Sequence, residues 1–177
     1  MAVLDIVRMG HPTLREVARP LADDEIQNPD ILQLIEDMTD TLHAARGIGL
    51  AAPQVNRSIQ LAIIEIDELP GRYGDQPPSP LTVYINPSIT VLSPEEEGFW
   101  EGCLSIPGLR GYVERPQHIQ VDYLDLHGEP NRMVLEGFLA TVFQHEFDHL
   151  QGKLYIDRMK DTRLLSFEEE FAQFQLD

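Results

Sequence analysis

The sequence contains one cysteine, Cys103, so no internal disulfide framework holds the chain together. No apolar run approaches the roughly 18–20 residues of a membrane-spanning helix. Cationic side chains are scarce: 13 Lys and Arg stand against 30 Asp and Glu, for a formal net charge of -17. The cations are scattered, and no three are adjacent. Binding to a phosphate backbone or to an anionic lipid surface needs clustered positive charge, so neither nucleic acid nor membrane is expected as a partner. The acidity is read as a contribution to solubility. The first residues, Met1 to Ile6, lack a basic stretch leading into an apolar one. No secretory signal is therefore expected, and the expected location is cytoplasmic.

What remains is an ordinary globular composition, 42% hydrophobic and 24% charged over 177 residues. One domain spanning residues 1–177 is expected. Ile31, Leu34, Ile35, Met38 and Leu42 recur at helical spacing, with Asn28 as cap, Pro29 as first helical residue, and Gly47 and Gly49 as the stop. Ile59–Ile66, Leu81–Ile85, Ile89–Leu92 and Phe99–Leu104 read as strands, the last ended by Ser105-Ile106-Pro107. Residues 70–80, rich in proline and glycine, read as a loop. Ile119, Val121 and Tyr123 alternate with polar residues, and a turn at 127–131 returns the chain through 132–136 as a hairpin partner. Gly137–Leu150 reads as a helix. A last helix, capped by Asp161 or Thr162, would carry Leu164, Leu165, Phe167, Phe171 and Phe174. Strands in the middle with helices early and late give an α+β fold, short antiparallel strands packed around a buried central helix.

That central helix carries the most informative residues, His145-Glu146-Phe147-Asp148-His149. Histidines four apart share one helical face, and both rings reach a single cation about 2 Å from each. Glu146 stands beside that cation, placed to take a proton from a water on it. The preceding turn is apolar, and a buried helix with two histidines and two carboxylates is costly unless something pairs them. A metal hydrolase needs a third protein ligand and an open position. Two sources are available. Glu168, Glu169 and Glu170 lie about twenty residues downstream, the spacing of one class of zinc endopeptidase, whereas the position of a third downstream histidine holds Tyr155. Upstream, Glu101-Gly102-Cys103-Leu104-Ser105 offers a thiolate, which suits iron, cobalt, nickel or zinc. A third segment, Gly47-Ile48-Gly49-Leu50-Ala51-Ala52-Pro53-Gln54, has the small residues that admit another backbone and ends in an uncharged donor amide.

Together and in this order, GIGLAAPQ, EGCLS and QHEFDHLQG resemble the peptide deformylase family, and the likeness runs from Val3-Leu4 and His11-Pro12-x-Leu14-Arg15 to about Ile156. The resemblance implies a hydrolase that removes the formyl group from N-terminal formylmethionine. Cys103, His145 and His149 would hold one divalent metal, natively Fe²⁺, with Zn²⁺, Ni²⁺ or Co²⁺ in preparations. The metal-bound water would attack the formyl carbon, with Glu146 as general base and then acid. Gln54 and the Leu104 N–H would stabilise the oxyanion. The substrate would lie as an added strand along Ile48, Gly49 and Gly102–Leu104, with Arg110 in contact. Phe138, Thr141 and Val142 are candidates for the methionine pocket, and Gln144 and Asp148 would orient the ligands. Implied partners are N-formylmethionyl peptides and nascent chains, with transient ribosome proximity. The short acidic tail, 167–177, departs from the long basic helix that some members use for ribosome docking. An endopeptidase with Glu169 as third ligand, and a binding module without chemistry, are the competing readings.

Overall fold

The computed structural model describes residues 2–66 and 79–175. After a short helix α1 (Asp23–Ile26), helix α2 (Pro29–Ala45) starts as the sequence predicts. The Asn28 side chain accepts the Asp30 N–H at 2.9 Å, and Ile31, Leu34, Ile35, Met38 and Leu42 are buried. Its end differs from expectation. The chain leaves the helix at Arg46, in the left-handed conformation with φ 53°, before either glycine. Gly49 instead opens strand β1 (Gly49–Ala51).

Strands β2 (Leu61–Ile66), β3 (Ser79–Val91), β6 (His118–Leu124) and β7 (Pro130–Glu136) complete an antiparallel sheet in the order β1-β2-β3-β6-β7. Strands β4 (Glu96–Cys103), β5 (Ile106–Pro116) and β8 (Leu165–Phe167) form a second, in the order β4-β5-β8. Helix α3 (Gly137–Leu150) matches the predicted span, and α4 (Glu168–Phe174) closes the described chain. The α+β class and the buried central helix stand as expected.

Several elements differ in detail. The two predicted strands at 81–85 and 89–92 are one strand, β3, whose register shifts between Ile85 and Ser88. At the irregularity Asn86 has φ 49°, and its amide bonds both the N–H and the carbonyl of Leu21 at 2.8 Å. Ser79 and Pro80, read as loop, begin that strand; residues 70–78 of the predicted loop lie outside the described residues. Ser105-Ile106-Pro107 does not end the sheet. Leu104 and Ser105 form a tight turn, and Ile106 pairs with Cys103 to start β5. Pro107, Gly108 and Gly111 disguise β5 as a loop in the sequence. At the other end, Asp161 caps only a 3₁₀ turn (Thr162–Leu164), and Leu165 and Phe167 belong to β8 rather than to a helix.

The five-stranded sheet is covered on both faces, which explains why β2 is apolar at every position but Glu65. Leu61 and Ile63 pack with α2, whereas Ala62 and Ile64 pack with Phe143 and Phe147 of α3. Tyr84 lies edge-on to Phe143 at 4.8 Å. Eleven of the residues of α3 are buried, including both histidines, Glu146 and Asp148. A smaller cluster of Leu14, Ile106, Val113, Leu154 and Tyr155 ties the second sheet to the segment after α3.

That segment turns at Gly152, with φ 66°, where a Cβ would lie 2.7 Å from the Arg15 carbonyl oxygen. Strain and clash act together there, and the opposing atom is backbone. Gly152→Ala should lower unfolding stability by about 1–3 kcal/mol in urea titration.

Candidate metal centre

The central helix sets His145 and His149 one turn apart, with ring centroids separated by 5.2 Å. Cys103 ends β4 at the tight turn, which carries its sulfur across to the helix. Sγ lies 3.4 Å from His149 Nε2. The ligand atoms of Cys103, His145 and His149 all fall within 4.8 Å of one another, and they are the one such group of His, Cys, Asp and Glu among the described residues. Glu169 is exposed on α4 and outside the group. Three donors are one fewer than a closed structural zinc site uses.

The donors are tuned by what surrounds them. Nδ1 of His145 lies 2.7 Å from Glu101 Oε2, so its Nε2 is the nitrogen that faces the cysteine. Nδ1 of His149 is buried without a hydrogen-bond partner. Burial opposes ionisation of the Cys103 thiol, but His149 and His145 outweigh it and hold its pKa well below the ordinary 9.0. Glu146 is buried beside the histidines, and its Oε2 has no partner. Burial raises its pKa, against the opposing pull of His145 and His149. Its other oxygen occupies the space a Cβ would need at Gly49, 2.4 Å away. Here the glycine is required by close approach.

Gln54 sits in the 3₁₀ turn after β1. Its Oε1 accepts the Ala51 N–H at 2.9 Å, which fixes the amide's orientation and turns its NH₂ toward Ser105 Oγ (3.2 Å) and Cys103 Sγ (3.6 Å). A cavity of about 660 Å³ opens over this group. Ile48, Gly49, Gln54, Gly102, Cys103, Leu104, Arg110, His145 and Glu146 line it, and so do Phe138, Thr141 and Val142. Every residue that the deformylase resemblance implies as catalytic, substrate-binding or metal-binding is therefore at one cavity, except His149, which is buried and not among its lining.

Gln144 and Asp148, read from the sequence as orienting or packing groups, bond partners at one remove from the site. Gln144 donates to the carbonyls of Pro116 and Ala140. Asp148 bonds Arg115 (2.8 Å) and Arg158 (3.0 Å), not its neighbour His149. Arg115 was not singled out in the sequence. It holds Glu101 through Nε (2.6 Å) and Nη2 (3.0 Å), and Asp148 through Nη1. An arginine ten residues after the motif gives no local signal. Glu101 does give one, because residues two apart on a strand share a face, and Cys103 is two residues on.

A largely buried thiol-and-imidazole group one donor short of closure, with a carboxylate beside it that has an oxygen unpaired among the described residues, defines a mononuclear metal hydrolase as the class of protein. Comparison with known proteins narrows the class. The polypeptide deformylase family model matches residues 3–164. A peptide deformylase of Leptospira biflexa is 44% identical over 170 residues, 96% of this chain and 95% of its own. Peptide deformylase 2 of Ralstonia nicotianae is 48% identical over 164 residues, 93% and 91% of the two chains. The Met-Ala-Ser-bound class I type b peptide deformylase of Acinetobacter baumannii superposes with a TM-score of 0.84 at 39% identity, over 89% of this chain and 99% of that one. The chain belongs to the polypeptide deformylase family, hydrolases that remove the formyl group from polypeptides. The endopeptidase reading is set aside, since cysteine and not Glu169 joins the histidines.

The ionic network makes a stability prediction. Burial pushes the carboxyls of Glu101 and Asp148 up, but pairing with His145 and Arg115, and with Arg158 and Arg115, brings both below their ordinary values. Groups lowered on folding stabilise the protein above their unfolded pKa, and that contribution is lost as pH falls through the folded values. Arg115→Met should cost about 3–5 kcal/mol at pH 7 by leaving two buried carboxylates short of a partner. The gap from wild type should narrow below about pH 4.5, where the unfolded Glu101 is protonated.

Proposed function

We propose that residues 1–177 form one catalytic domain that hydrolyses the formyl group from N-formylmethionyl peptides and nascent chains in the cytoplasm. Among the described residues no helix is long and apolar enough to cross a membrane. The observation that carries the reading is the convergence of Cys103, His145 and His149 beside the unpaired Glu146. Cys103 Sγ and the Nε2 atoms of His145 and His149 hold one divalent cation, Fe²⁺ in the cell, with Zn²⁺, Ni²⁺ or Co²⁺ as substitutes. The lowered thiol pKa and the Glu101-oriented imidazole fit that donor set. Such a cation supplies Lewis acidity and ionises water near neutral pH.

The residues then divide the work. Glu146 accepts the proton of the attacking water and returns it to the departing amine. Its burial, which raises its pKa, makes it a better base for the uptake. Gln54 Nε2 and the Leu104 N–H donate to the oxyanion, and the amide already faces inward because Ala51 holds its oxygen. The peptide enters between β1 and β4, the edge strands of the two sheets, both of which border the cavity. Ile48, Gly49 and Gly102 pair with its backbone, Arg110 contacts it, and Phe138, Thr141 and Val142 receive the methionine side chain. Transient proximity to the ribosome is part of this reading.

Formate release from formyl-Met-Ala-Ser by anaerobically prepared protein tests this directly. Wild type should release formate and bind one metal per chain. Cys103→Ser should lose both metal and activity, and metal retained in that variant would remove the thiolate from the ligand set. Glu146→Gln should keep its metal yet lose at least about 10²-fold in kcat, the scale of a positioned acid–base group. Full turnover in Glu146→Gln would refute the assigned proton path. Glu101→Gln should weaken metal binding about 10–100-fold in competition with a chelator.

A further inference from the structure

Glu168 belongs to none of the motifs, yet it lines the cavity together with Arg110. Its Oε1 lies 2.8 Å from Arg110 Nη2 and 3.2 Å from Arg110 Nε. The guanidinium it holds is pressed against Gly102, where a Cβ would stand 2.8 Å from Nη1. Arg110 thus lies over the backbone of the β4 edge, and Glu168 stands beside it. The side chain of Arg110 is 16% exposed and that of Glu168 is 47% exposed, so the carboxylate presents the more open face.

Glu168 is held in place by ordered structure. Strand β8 pairs with β5 in the register Leu109↔Phe167, Arg110↔Ser166 and Gly111↔Leu165. Helix α4 is fixed by buried Phe171, whose ring is 4.9 Å from that of Trp100. The carboxylate therefore has a defined position at the cavity wall.

We propose that Glu168 is a specificity-determining residue that selects the side chains following the formylmethionine. The proposal rests on the deformylase reading above. By holding Arg110, Glu168 withdraws the nearest cation from acidic substrate side chains. Its half-exposed carboxylate attracts basic ones and repels acidic ones. Arg46, the other arginine at the cavity, is common to every variant compared below and cancels in the ratios.

The test measures kcat/KM for formyl-Met-Xaa-Ser and formyl-Met-Ala-Xaa carboxamides, with Xaa as Glu or Lys. The proteins are wild type, Glu168→Gln, Arg110→Ala/Glu168→Gln and, as an exposed neighbour, Glu170→Gln. Glu168→Gln should raise the Glu-to-Lys ratio about three- to tenfold at one or both positions, chiefly through KM, as for a partly screened charge pair. The rise should shrink in high salt. The double variant should lose most of it, because it also removes the guanidinium that attracts the acid. Glu170→Gln should leave the ratio at its wild-type value. An unchanged ratio in Glu168→Gln overturns the proposal. So does an equal loss on all peptides, which would mark a structural role only, or the same rise in Glu170→Gln. Failure of the deformylase reading would look different: wild type itself would release no formate from formyl-Met-Ala-Ser.

Discussion

Buried charge tolerates little slack, and the catalytic end of this molecule is arranged around one such group. Arg115 comes from β5, holds Glu101 of β4 with two nitrogens, and reaches Asp148 of α3 with a third. Through Glu101 it fixes the ring of His145. One guanidinium thus ties together two strands of one sheet and the helix that packs on the other. The price of desolvating these groups is met by fork geometry and by complete pairing, and each partner is intolerant of the loss of the next. Arg158 closes the chain at the surface by capping the second oxygen of Asp148. One of the three candidate metal ligands, His145, is therefore aimed by a lattice of ionic bonds that extends well beyond it.

The local chemistry of the site was largely legible in the sequence, because it is written in short motifs whose spacing has geometric meaning. Histidines four apart share a helical face wherever the helix packs, and α3 spans the residues its pattern indicated. Gln54 and Cys103 were legible only through their motifs, since a lone cysteine or glutamine carries no periodicity. What the sequence concealed is non-local. Arg115 reaches the site from a strand that proline and glycine disguise as a loop. Asp148 turns away from the histidine beside it because two arginines are waiting on the far face of the helix. Glu168 meets Arg110 only because a three-residue strand, β8, joins the second sheet.

Fold details follow the same division. Where one face of an element is buried, as in α2, periodicity gives its limits to within a residue or two. Where backbone geometry is set by a distant partner, it does not. Arg46 and Asn86 both adopt left-handed conformations that a glycine would take more readily. Asn86 does so because its amide stitches β3 to the chain at Leu21. The apolar run Leu61–Ile64 of β2 has a comparable cause: its sheet is covered by α2 on one side and α3 on the other.

Each sheet presents an edge strand to the cavity, and β1 offers only three residues of edge. On the proposed mode of binding, so short an edge recognises main-chain groups that have no other partner. An N-terminal segment already drawn into its own helix or sheet has none to give. Access to the cleft is then a contest in time, between processing of a free chain end and the folding that would take that end out of reach.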